Sequence, residues 1–121
     1  MSVFLTISED RVVYRGDFFF MIYDAYPVSN NHLLIISNEL REDYFSLTAD
    51  EQKELPKMIN KAKSIIEKEI SPDGYNIGMN CGVSSGQTVM HFHCHIIPRF
   101  TGDVDDPRGG VRHCIMHKGY Y

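Results

Sequence analysis

Three histidines at alternate positions, His91, His93 and His95, stand in the run His-Phe-His-Cys-His-Ile-Ile-Pro-Arg. The intervening Phe92, Cys94, Ile96 and Ile97 are apolar, and a strand sends successive side chains to opposite faces. Such a strand turns three imidazoles to one side and anchors the other side in a core. Imidazole titrates nearest neutrality, at ~6.5, so it can serve as ligand, base or nucleophile. Three readings follow. A metal can be held by His-x-His, with a third ligand drawn from elsewhere, such as His32 or His113. The rings can be neutral packing groups satisfied by backbone carbonyls. Or one neutral ring nitrogen can attack phosphorus while an acceptor on the other nitrogen fixes the tautomer. The segment Cys81-Gly82-Val83-Ser84-Ser85-Gly86-Gln87-Thr88 just upstream suits the third reading. Its small residues let backbone N–H groups approach a phosphate, and Gln87 and Thr88 add side-chain donors.

The elements that must position these residues can be read in outline. Arg11 to Arg15 and Phe18 to Asp24 read as strands around a Gly16-Asp17 turn, and His32 to Ser37 as a short apolar strand buried on both faces. Arg41 to Leu47 reads as one short helical turn. Thr48 and Glu51 form a capping box ahead of a long helix, whose Leu55, Met58, Ile59, Ala62, Ile65, Ile66 and Ile70 mark one apolar face. Pro56 should kink that helix or move its start, and Ser71-Pro72-Asp73-Gly74 should end it. Tyr75 to Cys81 and Val89 to Phe100 read as further strands, and no regular element is evident from Thr101 onward. The class is α+β, with about five antiparallel strands, one long helix and a short one, in a single domain over residues 1–121.

Composition narrows the function. A net charge of −4 argues against a broad nucleic-acid or membrane footprint, while leaving room for a local cationic pocket. Arg99, Arg108 and Arg112 gather with five of the six histidines in the last quarter of the chain. Three widely spaced cysteines, Cys81, Cys94 and Cys114, fit neither a disulfide framework nor a metal ribbon, and point to a reducing, cytoplasmic setting. The longest apolar runs, such as Phe18 to Ile22, are too short to span a bilayer.

His91 to Ile97 resembles the signature of the histidine-triad (HIT) family, His-x-His-x-His-x-x with x apolar. The resemblance runs from about Val12 to Arg99. Asp24-Ala25-Tyr26-Pro27 followed by His32 is similar to the family's ribose-binding acid, turn proline and fourth histidine. Asn80 and Gly86-Gln87-Thr88-Val89 stand where the family binds phosphate. The resemblance implies a HIT-like fold, usually a homodimer, and hydrolysis of purine nucleotide conjugates at the α-phosphate. By that likeness His93 is the nucleophile that forms a nucleotidyl-histidine intermediate. His95 contacts the phosphate or leaving group, and His91 and His32 orient the cluster. Asn80, Gly86, Gln87 and Thr88 hold the phosphate, Asp24 the ribose hydroxyls, and Ile22 with Phe20 the base. No metal of the protein's own is implied, and magnesium is expected only on the substrate. Arg99, Arg108 and Arg112 are expected to extend a cationic path beyond the α-phosphate.

Departures from the familiar branches leave the substrate open. Asp24 and Asn80 resemble the nucleoside phosphoramidase branch, but no tryptophan occurs, so its Trp-Pro-Pro-Gly-type tail is missing. Pro98-Arg99 resembles the dinucleoside polyphosphate hydrolases, and Asp106 to Arg112 resembles the tails of small bacterial members labelled diadenosine tetraphosphate hydrolases. The leading expectation is cleavage of a dinucleoside polyphosphate such as diadenosine tetraphosphate. A purine nucleoside phosphoramidase and a non-catalytic nucleotide-binding module are the alternatives.

Overall fold

A computed structural model describes residues 2–121. Five strands form one antiparallel sheet: β1 (Val12–Arg15), β2 (Phe19–Tyr23), β3 (Leu33–Ser37), β4 (Gly74–Gly78) and β5 (His93–Arg99), in the order β1-β2-β3-β5-β4. The one long helix, α1 (Ala49–Glu67), packs on one face of it. The α+β class and the strand number agree with the sequence expectation. Each strand is shorter than expected, because its ends are taken up by turns. The histidine strand begins at His93 rather than Val89, and β4 ends at Gly78 rather than Cys81. The short helix is a single 3₁₀ turn, Tyr44–Ser46, capped by Asp43. Further 3₁₀ turns at Val3–Thr6, Glu9–Arg11 and Gly110–Cys114 have no periodic signature in the sequence.

The sheet's two faces carry different jobs. Phe19, Met21, Leu33, Ile35, Phe92, Cys94 and Ile96 are buried against Leu55, Met58, Ala62 and Ile66 of α1. The opposite face carries Phe20, Ile22, Leu34 and Ile36, on which Phe4, Ile7 and Val12 pack. Register explains the second face. Val12 pairs with Ile22, Ile22 with Leu34 and Leu34 with His95. Directly paired residues share a face, so one lateral row runs from an apolar end to the imidazole of His95. A parallel row joins Phe20, Ile36 and His93.

The helix is held where the sequence places its cap. Thr48 Oγ1 accepts from the Glu51 N–H, and Glu51 returns the bond to the Thr48 N–H at 2.7 Å. Pro56 neither breaks nor shifts α1. It lies on the exposed side of α1, where a carbonyl left without its N–H partner costs least. Glu51 is itself buried and also accepts from Arg41 Nε at 2.9 and 3.2 Å. Burial alone would raise its carboxyl. The Thr48 and Arg41 donors outweigh that and hold it below the usual carboxylate range.

Arg41 also ties the helix to the site, because its carbonyl accepts from the Phe92 N–H, immediately before β5. Glu51→Ala would leave the Arg41 guanidinium and the Thr48 N–H without their acceptor. It should cost roughly 2–4 kcal/mol of unfolding free energy, read from urea denaturation. An unchanged midpoint would show that the cap and ion pair contribute nothing.

Candidate active site

His93 and His95 project from β5 into a cavity of about 650 Å³, and Asp24, His32, Asn80, Gly86 and Thr88 share its lining. Asp24 follows β2 and His32 precedes β3; a bond from Asp24 N–H to the His32 carbonyl closes the turn between them. Asn80 lies after β4, and Gly86 and Thr88 lie on the loop before β5. Ile22, Leu34 and Ile7 form the apolar end, and Phe4 lines the cavity beside His93.

The imidazole protons can be placed by following the hydrogen bonds. Val28 N–H donates to His32 Nδ1 at 3.2 Å, so neutral His32 carries its proton on Nε2. That Nε2 lies 2.9 Å from His95 Nδ1 and donates to it. His95 must then carry its own proton on Nε2. His93 Nδ1 lies 2.8 Å from the His91 carbonyl and can only donate there, which leaves the His93 Nε2 lone pair free. His91 Nε2 donates to the Ser37 carbonyl, and its Nδ1 accepts from Ser2 Oγ.

Asp24 Oδ1 accepts from the Tyr26 N–H at 2.8 Å, and Oδ2 lies 3.5 Å from His32 Nε2 and 3.9 Å from His95 Nδ1. Burial lowers the pKa of His95 to about 4, aided by its His32 and His93 neighbours and opposed by Asp24. His32 is lowered by burial against the pull of Asp24. His91 is lowered by burial too, although its Ser37 bond opposes this and His93 adds to it. All three are neutral near pH 7.

Several expected placements need correction. His91 precedes the strand and is 0% exposed, so it does not line the cavity. It does stay on the histidine side, where Phe4 meets the rings of both His91 and His93 edge-on. Gln87 is 3% exposed and faces inward: its Oε1 accepts from the Gly82 N–H, and its Nε2 donates to the Glu42 and Val89 carbonyls. It shapes the loop and has no donor left for a phosphate.

Part of the loop's backbone is spent as well. The N–H groups of Ser85, Gly86 and Gln87 bond to Gly82 and Val83 carbonyls around the 3₁₀ turn Val83–Ser85. Gly82 and Gly86 flank that turn at φ 97° and 93°, a backbone open to glycine. Among the described residues, the side chains of Asn80 and Thr88 make no hydrogen bond within the protein, so they remain free donors. Phe20 lies beneath Phe4 outside the cavity, while Ile22 lines it.

The expected cationic path is also absent from the cavity lining. Arg99 is bound by Asp103 and Asn76, and Arg108 by Asp106. Arg112 donates to the Gly119 and Lys118 carbonyls and stacks on Tyr121. Ser2, Phe4, Ile7 and Arg11 carry no site signal in the sequence, because the N-terminal run has no period, and Arg11 ends a 3₁₀ turn instead of starting a strand.

Asp24, His32 and His95 offer ligand atoms within 4.8 Å of one another. The hydrogen bonding of His32 opposes a metal here. A ligating histidine gives its other ring N–H to an acceptor, but the other nitrogen of His32 faces the Val28 N–H donor. His113 lies in the tail, bonded to the Arg108 carbonyl, and is not part of this group.

A model of the HIT domain matches residues 6–102. The chain belongs to the HIT family. It is 32% identical over 102 residues to a Mycobacterium tuberculosis protein named AP-4-A phosphorylase, covering 84% of this chain and 52% of that one. Thus the chain spans about half the length of that relative. The Escherichia coli purine nucleoside phosphoramidase is 36% identical over 87 residues, covering 71% of this chain and 73% of that one. A crystal structure of a Bacillus subtilis HIT family member superimposes with a TM-score of 0.76 at 29% identity, over 84% of this chain and 75% of the other. This HIT protein therefore shares the family's fold as well as its signature.

The lowered imidazoles predict acid sensitivity. In the unfolded chain each returns to ~6.5. As pH falls from there toward the folded His95 value of about 4, the unfolded state binds more protons and stability drops. Melting temperature should be flat above about pH 7 and fall progressively below about 6.5. His95→Gln, which takes up no proton, should make that fall shallower. An equally steep fall in the variant would remove His95 from the account.

Proposed function

We propose that this HIT protein hydrolyses purine nucleotide conjugates at the α-phosphate, by way of a covalent nucleotidyl group on His93. The observation that carries this reading is the His93 ring: Nδ1–H is tied to the His91 carbonyl, and the free Nε2 is at the cavity. The fixed tautomer makes a neutral nucleophile without a separate base. The Nε2 lone pair forms a bond to phosphorus while the bond from phosphorus to the leaving atom breaks. In the second step water adds at phosphorus while the phosphorus–Nε2 bond breaks, its proton passes to solvent, and the nucleoside monophosphate leaves His93 with its Nε2 lone pair restored. His95 Nε2–H, Asn80 and Thr88 donate to phosphate oxygens, work that is mainly positioning and electrostatic stabilisation. The Asp24 carboxylate accepts from the ribose hydroxyls, and Ile22 and Leu34 receive the base.

The surroundings of His95 favour one leaving group over the other. A phosphate chain departs as an anion and needs no proton, whereas an amine must be protonated as it leaves. A His95 whose pKa is pushed down to about 4 holds an extra proton poorly near neutrality. That favours dinucleoside polyphosphates such as diadenosine tetraphosphate, with magnesium carried by the substrate and no metal held by the protein. The second reading, a purine nucleoside phosphoramidase, is favoured by Arg99, Arg108 and Arg112 being engaged elsewhere, which leaves a polyphosphate tail no arginine from that group. Three free thiols suit a cytoplasmic protein. β4 is an edge strand, and we assign the pairing of a second copy in a homodimer to it. No helix among the described residues is long and apolar enough to cross a membrane.

His93→Ala should reduce turnover by roughly 10⁴-fold or more while nucleotide binding survives. Acid-labile radiolabel should appear on His93 when α-labelled substrate is quenched in mid-turnover. Wild-type rates in the variant would end the nucleophile assignment. A panel of dinucleoside tetraphosphates and nucleoside phosphoramidates, each in adenine and guanine form, decides the leaving group. Binding without turnover of either substrate would identify a non-catalytic module instead.

A further inference from the structure

The chain has twelve lysines and arginines, and among the described residues Arg11 alone of these lines the main cavity. Its place in the fold is well determined. Arg11 ends the 3₁₀ turn Glu9–Arg11, where its N–H bonds to the Ser8 carbonyl, and it directly precedes Val12. Val12 starts the lateral row Val12, Ile22, Leu34, His95. Three strand spacings of ~4.8 Å place His95 about 14 Å across the sheet from Val12. Asn80, Gly86 and Thr88 lie at the His95 end. Arg11 therefore faces the cavity from the side opposite the candidate phosphate donors. It is exposed, and its guanidinium makes one long contact, 3.5 Å, to the Tyr23 carbonyl. Most of its five N–H donors are free.

This position has a consequence that rests on the function proposed above. With phosphate at His93 and ribose at Asp24, the base lies over Ile22 and Leu34, with its outer edge toward Arg11. A guanidinium can only donate. Guanine and hypoxanthine turn two acceptors, O6 and N7, to such an edge, whereas adenine offers N7 beside an amino donor at N6. We propose that Arg11 is a specificity-determining residue that selects six-oxo purines over adenine at the base end of the cavity. A phosphate-anchoring role is the rival use of the same cation, and the distance across the sheet opposes it.

Calorimetric titration of the full chain with GMP, IMP and AMP tests this directly. IMP has the O6 and N7 of guanine but lacks its 2-amino group. GMP and IMP should bind alike, each about fivefold more tightly than AMP, the low end of what a bidentate arginine contact discriminates because the site is exposed. In Arg11→Ala the three constants should converge to within about twofold, with the loss falling on GMP and IMP. Arg11→Lys keeps the charge without the fork and should also lose most of the preference.

Ribose 5-phosphate, which has no base, separates the two uses of the cation. A clear loss of its binding in Arg11→Ala would make Arg11 a phosphate contact and overturn the proposal. AMP binding as tightly as GMP in the wild type, or a preference that persists in Arg11→Ala, would overturn it too. If none of the nucleotides binds, the nucleotide reading of the site falls with it. If GMP-first binding occurs without turnover of any conjugate, the base selection stands and only the catalytic reading falls.

Discussion

The site depends on where backbone groups put the imidazole protons. One N–H, from Val28, sets the His32 tautomer, and that ring sets His95 in turn. Two carbonyls, from His91 and Ser37, set His93 and His91. A neutral imidazole has one donor and one acceptor nitrogen, so each assignment leaves no choice at the other nitrogen. The result is a lone pair on His93 beside an N–H on His95. Backbone groups cannot rotate away as side chains can. The polarity of the site is therefore as rigid as the fold that carries it.

That rigidity traces to the sheet. β5 lies inside it, paired with β3 on one side and β4 on the other, and its inward residues Cys94 and Ile96 are closed over by α1. A one-residue slip would turn the histidines into the core and Cys94 into the cavity, so burial of the apolar alternates holds the imidazoles outward. Arg41 links the same strand entry to the helix start, since its carbonyl holds Phe92 while its guanidinium holds Glu51. The capping box, the ion pair and the histidine strand are one connected structure.

The parts of this arrangement that are legible in the sequence are those with a period or a cap. The alternation from His91 to Ile97, the Thr48–Glu51 box and the three- and four-residue spacing along α1 state strand, helix start and buried face directly. Residues that act through irregular backbone are not legible in this way. Ser2, Phe4 and Arg11 reach the site through 3₁₀ turns whose residues show no repeat. Gln87 reads as a donor beside a glycine, yet the tight turn buries its amide against three backbone groups. The tail arginines read as free cations because a sequence does not show which acceptors fold back onto them. Asp103 and Asp106, only a few residues away, take up Arg99 and Arg108.

The spacing of Asp24 from the histidines resolves a conflict between binding and chemistry. A carboxylate in direct contact with His32 or His95 would favour the protonated ring. A protonated His32 would need an acceptor at Nδ1, where the Val28 N–H stands, and the order of protons through His95 would be lost. At 3.5 and 3.9 Å the carboxylate raises both rings, but less than burial lowers them. The rings stay neutral, while Asp24 keeps acceptor capacity for hydroxyl groups beside them. Among the described residues no lysine or arginine other than Arg11 lines the cavity, and Arg11 is at its far end. An anion bound near His93 would thus be met by oriented N–H and O–H donors rather than by fixed charge. Such donors need little rearrangement as charge shifts between phosphorus oxygens and leaving group, the condition under which a preorganised polar site lowers a barrier.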